Sequence, residues 1–153
     1  LSWLGCGLLT SGAWISPHDV RAEVLEIAAE LKLARNVEIF RGEHLAHSSP
    51  ERLVAQCWDL AGLDRRYAAF IARWSREFEH CSQCGMTGAR AGIHKPCTAP
   101  ADCFRRRFLL VHEYRAFPLE DPLLPGPLLP AGWTGKAAAR LFETYHDALA
   151  GEQ

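Results

Sequence analysis

The sequence predicts an α+β chain: two strands, a helix and a third strand, followed by a mainly α-helical stretch. Three observations predict it. Short apolar runs flank a turn-forming cluster near the start. From residue 49 onward, apolar residues recur every three or four positions, the period of a helix with one buried face. Hydrophobic residues make up 48% of the 153, enough to build a core and to argue against disorder. A chain of this length holds one ordinary domain or two small ones.

Leu1 to Pro17 reads as a hairpin, with Gly5-Cys6-Gly7-Leu8-Leu9 and Ala13-Trp14-Ile15 on either side of Thr10-Ser11-Gly12. A helix start follows: Ser16 can cap, Pro17 suits the first helical position, and Asp19 lies three residues after the cap. Val20, Val24, Ile27 and Leu31 carry that helix through Leu33. Asn36 ends it, and Val37 to Phe40 reads as a strand running towards Glu43. Strand, strand, helix, strand is the back half of a ferredoxin-like βαββαβ unit, placed at residues 1–48. Its first strand and helix are not in the sequence. The sheet edge that should pair with them would present bare backbone donors and acceptors, so the chain is expected to begin inside a domain.

A helical domain is expected over 49–153. Ser49-Pro50-Glu51 starts a short helix through Trp58. Leu60, Leu63, Tyr67, Phe70, Ile71, Trp74 and Phe78 form one apolar stripe. An excursion at about 80–103, with Gly85, Gly88, Gly92 and Pro96, breaks the periodicity. A helix from about Pro100 to Phe117 is closed by Pro118. Residues 118–132 then form a proline-rich connector, and Thr134 caps a last helix whose apolar face is Ala138, Leu141, Phe142, Tyr145 and Leu149. No internal repeat is present.

The net charge of −1 offers no basic field for nucleic acid. No apolar run approaches the ~18 residues of a membrane span, and LSWLGCGLL lacks the basic start of a signal peptide. A soluble, cytoplasmic protein is expected, and the absence of Met at position 1 suggests a fragment. Catalysis is not expected. His112-Glu113 has no second His at metal spacing, since residue 116 is Ala, and neither a Gly-x-Ser-x-Gly elbow nor a phosphate loop occurs.

Cys81-x2-Cys84-x12-Cys97-x5-Cys103 is the strongest chemical signal in the residues themselves. Zinc favours four thiolates in a tetrahedron, and a Cys-x2-Cys pair supplies two from one turn. His80 or His94 can each replace one cysteine. One structural zinc is the favoured reading. Unmetallated thiols, or a redox pair with a lowered thiol pKa, are the alternatives. A catalytic zinc fits less well, because four thiolates leave no position for water. Cys6 and Cys57 lie in apolar runs and read as small core residues. His44 and His47 read as surface residues. Trp3, Trp14, Trp58, Trp74 and Trp133 read as core or domain-interface residues.

Phe108, His112 and Arg115 are spaced four and three apart, hence on one helix face. The imidazole and guanidinium can hold a carboxylate or phosphate. In the alternative reading, Arg115 pairs with Asp121 or Glu120 and clamps the connector against the helix. Arg105, Arg106 and Arg107 diverge by about 100° each and cannot form one patch.

The segment Phe108 to Trp133, FLLVHEYRAFPLEDPLLPGPLLPAGW, resembles the C-terminal domain of PaaX-type repressors. Val111 to Pro118 and Asp121 to Trp133 carry that resemblance. Leu4 to Pro17, ending in Trp14-Ile15-Ser16-Pro17, resembles the hairpin of the same family's central ferredoxin-like domain. The resemblance implies a dimeric transcriptional repressor of aromatic catabolism genes, chiefly for phenylacetate. It also implies an N-terminal winged helix on operator DNA, absent from this sequence, and release by phenylacetyl-CoA or a similar aryl-acyl-CoA. This chain would then be the effector-binding and dimerisation portion; a stand-alone zinc-stabilised interaction module is the competing reading. The cysteine excursion is not part of the family pattern, and Glu120 stands where a basic residue is usual.

Overall fold

The computed structural model describes residues 1–45, 49–83 and 100–150. They fall into two compact units: Leu1–Leu60 with Leu119–Pro130, and Ala61–Pro118 with Ala131–Gln153.

The first unit opens on the expected hairpin, β1 (Gly7–Thr10) antiparallel to β2 (Ala13–Ile15), with Gly7 opposite Ile15 and Leu8 opposite Trp14. Gly12 turns the chain at φ 86, a conformation that costs glycine nothing. The ladder is irregular between Leu8 and Thr10, and the Leu9 carbonyl accepts instead from the Gln56 side-chain amide at 3.0 Å. α2 (Pro50–Cys57) begins as expected, with the Ser49 hydroxyl accepting from the Arg52 N–H. It ends at Trp58, whose indole lies on β1 and donates to the Gly5 carbonyl at 3.2 Å. A Cβ at Gly7 would stand 2.6 Å from that ring, so only glycine lets the strand lie so close.

Two expectations for this unit are corrected. The helix does not start at Pro17. α1 runs over Arg21–Glu30, because the Ser16 hydroxyl accepts from the His18 N–H and the Asp19 carboxylate from the Arg21 N–H. These short side-chain bonds hold the backbone in turns and delay the helix. At its other end the helix stops before Leu33: Lys32 adopts φ 58, Leu33 N–H reaches the Ala28 carbonyl, and Lys32 N–H reaches that of Ala29. That pair of bonds is a Schellman closure, here with lysine in the place glycine usually takes. The second correction concerns Val37 to Phe40. The backbone at Val37 is extended, but no ladder forms there among the described residues, and the sheet has two strands. An extended segment becomes a strand only where a neighbour accepts its hydrogen bonds. The architecture is thus a small hairpin-and-helix region followed by a mainly helical one.

In the second unit, α3 (Leu60–Gln83) presents the expected stripe. Leu63, Tyr67, Phe70 and Trp74 are buried, with Ile71 and Phe78 packed against them. α4 (Pro100–Tyr114) contributes fully buried Leu110, and α6 (Gly135–Ala150) contributes Ala138, Tyr145 and Leu149. Phe117 stacks on Tyr67 at a 4.2 Å centroid distance. Tyr114 stacks on Phe142 at 4.0 Å, and Tyr145 meets both Trp74 and Phe78. Aromatic pairs of this kind contribute about 0.5–1.5 kcal/mol each beyond their buried area.

Here too the sequence reading needs correcting. Pro118 does not close the preceding helix. α4 ends at Tyr114, and Pro118 sits in the first turn of the short α5 (Phe117–Glu120), where a missing N–H is harmless. Thr134 stands at the start of α6, but its hydroxyl does not cap that helix. The Thr134 N–H and hydroxyl both donate to the Asp64 carboxylate, at 2.8 and 2.7 Å. Asp64 thereby fixes the entry of α6 onto α3.

α3 and α4 are joined by Glu113. Its carboxylate accepts from the Arg73 guanidinium at 2.8 Å and from the Trp74 indole N–H at 3.0 Å. The exposed Arg73 pair contributes little, whereas the indole bond matters more because Trp74 is buried and has that one N–H to satisfy. Glu113→Ala should lower unfolding free energy in urea by about 1–3 kcal/mol, and Glu113→Gln by less, since the amide oxygen still accepts from the indole.

Candidate functional site

Among the described residues, the side chains singled out on chemical grounds are spread over several elements. Leu110 and Glu113 are three apart and share the inner face of α4, so Glu113 faces α3. His112, one residue earlier, is exposed and stacks along Phe108 at 6.1 Å between centroids. Arg115 is exposed just past the end of the helix, its N–H on the Val111 carbonyl. His112, Arg115 and Phe108 therefore do share the outer face of α4, as their spacing predicts. Asp121 lies in the other unit, where its carboxylate accepts from the Leu123 N–H at 2.8 Å and supports Leu123 at φ 51. That bond gives Asp121 a local structural role.

The three consecutive arginines diverge as expected. Arg106 reaches Glu77 of α3 at 3.5 Å, and the Arg107 Nε donates to His146 of α6 at 3.1 Å. To accept there, His146 must leave Nε2 unprotonated, which places its proton on Nδ1, facing the Asp147 carboxylate at 3.3 Å. Arg105 is exposed. Two of the three arginines thus tie α4 to its neighbours.

Of the four cysteines expected to hold zinc, Cys103 is half-buried and packs against the aromatic core. Cys84 and Cys97, with His94, lie outside the described residues, as does the side chain of Cys81. Among the described residues no group of three or more His, Cys, Asp and Glu comes together. Cys6 is buried and Cys57 half-buried in the first unit, matching their reading as small packing residues. Trp74 is buried and Trp58 and Trp133 half-buried, but Trp3 and Trp14 are exposed, contrary to a core role. His44 is exposed as expected, and His47 is outside the described residues.

Sequence reasoning missed three positions: Glu113 as a tie between helices, Asp64 as the anchor of α6, and Gly7 as the seat of Trp58. Only the first left a signal, a carboxylate three residues beyond a core leucine. No helix among the described residues is long and apolar enough to cross a membrane.

Burial pushes the thiols of Cys6 and Cys57 above their ordinary value. A thiol whose folded value is raised supports the fold below the ordinary value, and that support is lost as pH rises through the raised one. The unfolding midpoint should therefore fall in strongly alkaline buffer. Cys6 and Cys57 should be alkylated more slowly at pH 8 in native protein than in urea, with mass mapping of labelled peptides as the measurement.

Comparison with known proteins follows the order of these elements. Residues 1–54 match the family model described as the PaaX protein central Cas2-like domain. Residues 58–152 match that of the PaaX-like protein C-terminal domain. The chain is 30% identical over 153 residues to the transcriptional repressor PaaX of Escherichia coli strain K12, covering 98% of this chain and 45% of that protein. It therefore spans less than half the length of this curated relative.

Proposed function

The chain belongs to the PaaX family, and we propose that it forms the effector-binding and dimerisation portion of a PaaX-like transcriptional repressor. The observation that carries this reading is the pair of adjacent family matches, in order, over nearly the whole chain. The protein is a regulator rather than an enzyme. Operator DNA is read by a winged helix preceding these two parts in the whole protein, and the hairpin and α1 within residues 1–48 are part of a ferredoxin-like unit. The effector is an aryl-acyl-CoA of the phenylacetyl-CoA type, and the regulated genes serve aromatic catabolism. The protein acts in the cytoplasm as a homodimer.

Derepression requires that the effector bind one domain arrangement more tightly than another, for a ligand with equal affinity for both shifts nothing. The compact units, separately packed, suit such a two-state element. His112 and Arg115, together on the outer face of α4, can hold an anionic group such as a carboxylate or phosphate. Cys81, Cys84, Cys97 and Cys103 hold one structural zinc, which staples the excursion between α3 and α4.

Calorimetry of the full-length regulator with phenylacetyl-CoA tests the reading. Saturable binding at micromolar ligand, with loss of operator binding in the same range, is the expected result. No heat at high micromolar ligand would count against the effector. Metal analysis of the same preparation should return one zinc per chain, and freely titratable thiols without zinc would remove the staple.

A further inference from the structure

The net charge of −1 conceals a division. The second unit carries twelve Lys and Arg against eight Asp and Glu, a net of +4, while the first carries five against ten, a net of −5. Within the basic unit, α4 is apolar on two sides. Its inner side, with Leu110, Leu109, Tyr114 and Cys103, belongs to the core. Its outer side presents Phe104, Phe108 and Val111 at helical spacing, 71%, 60% and 38% exposed.

Two phenylalanines and a valine stand in line with much of their surface exposed, and a continuous apolar strip in water marks a contact surface. Arg105, His112 and Arg115 flank the strip and are exposed. Neither carboxylate of α4 lies on it: Asp102 is about a third of a turn round the helix from Phe108, and Glu113 is turned onto α3. The strip is an apolar ridge with positive flanks.

We propose that the outer face of α4 is a docking site for an acidic amphipathic helix of a protein partner. Apolar residues of that helix seat against Phe104, Phe108 and Val111, and its carboxylates meet Arg105, Arg115 and the His112 imidazole. Charge selects this occupant. A second copy offering the same face would set arginines against arginines, and like charges in a closing contact oppose association. A nucleic acid backbone needs a track of outward cations, but Arg106 and Arg107 are turned to Glu77 and His146, which leaves Arg105 alone of that run. This docking site stands independently of the effector reading.

The test uses the whole chain and a fluorescent helical peptide of Leu, Ala and Glu with Leu at helical spacing, compared with the same peptide carrying Lys for Glu. The Glu peptide should bind, more weakly as salt rises, and the Lys peptide should bind at least about tenfold more weakly. Arg105→Glu with Arg115→Glu should invert that preference. Phe108→Ser should weaken the Glu peptide by about tenfold with the melting temperature unchanged. Absence of binding, equal binding of both peptides, or an unaltered preference in the charge-reversed variant would overturn the proposal. So would displacement of the peptide by a single-stranded oligonucleotide at lower concentration than unlabelled peptide requires. Sedimentation showing that Phe108→Ser converts a dimer to monomer would overturn it too, by giving the face to self-association.

Discussion

The aromatic stripe of α3 is the constraint on which the second unit depends. Tyr67, Phe70 and Trp74 lie on one side of a 24-residue helix, and an isolated helix has no means of keeping them from water. Leu110 from α4, Phe117 from α5 and Tyr145 from α6 cover them. The polar ties follow from this packing. Burying Trp74 leaves an indole N–H to satisfy, and Glu113 supplies the acceptor from the helix that covers it. Bringing α6 onto α3 leaves the N–H and hydroxyl of Thr134 to satisfy, and Asp64 accepts both.

Hydrophobic burial also explains which parts were legible in the sequence. The stripes of α3 and α6 were legible because their period follows from the one face each helix buries. The hairpin was legible because Ser11-Gly12 permits the turn. The start of α1 is not legible, because Ser-Pro-x-Asp supports either a helix cap or a pair of side-chain turns, and local sequence does not choose between them. Val37 to Phe40 has the composition of a strand without being one, because a strand is a property of two segments, of which propensity sees one. Pro118 is ambiguous in the sequence because a proline in a first turn and one after a last turn leave the same mark.

Of the candidate site, spacing located Phe108, His112 and Arg115 on one face but could not say that the face is open. Nor could it say that the neighbouring glutamate is spent on the fold. A helix surrounded by apolar residues usually reads as buried all round. In α4 the two faces are divided: one is closed by α3 and α6, and the other carries cations beside its phenylalanines. Both faces have hydrophobic composition, and only the structure separates them.

The most direct test of this division is to compare the urea unfolding of Leu110→Ala with that of a Phe104→Ser, Phe108→Ser double variant. Removing the fully buried leucine should cost about 2–5 kcal/mol, as for other core truncations. Replacing both exposed phenylalanines should leave the unfolding free energy within about 1 kcal/mol of the parent. A double variant as destabilised as Leu110→Ala would contradict the account, because it would make the outer face of α4 part of the core.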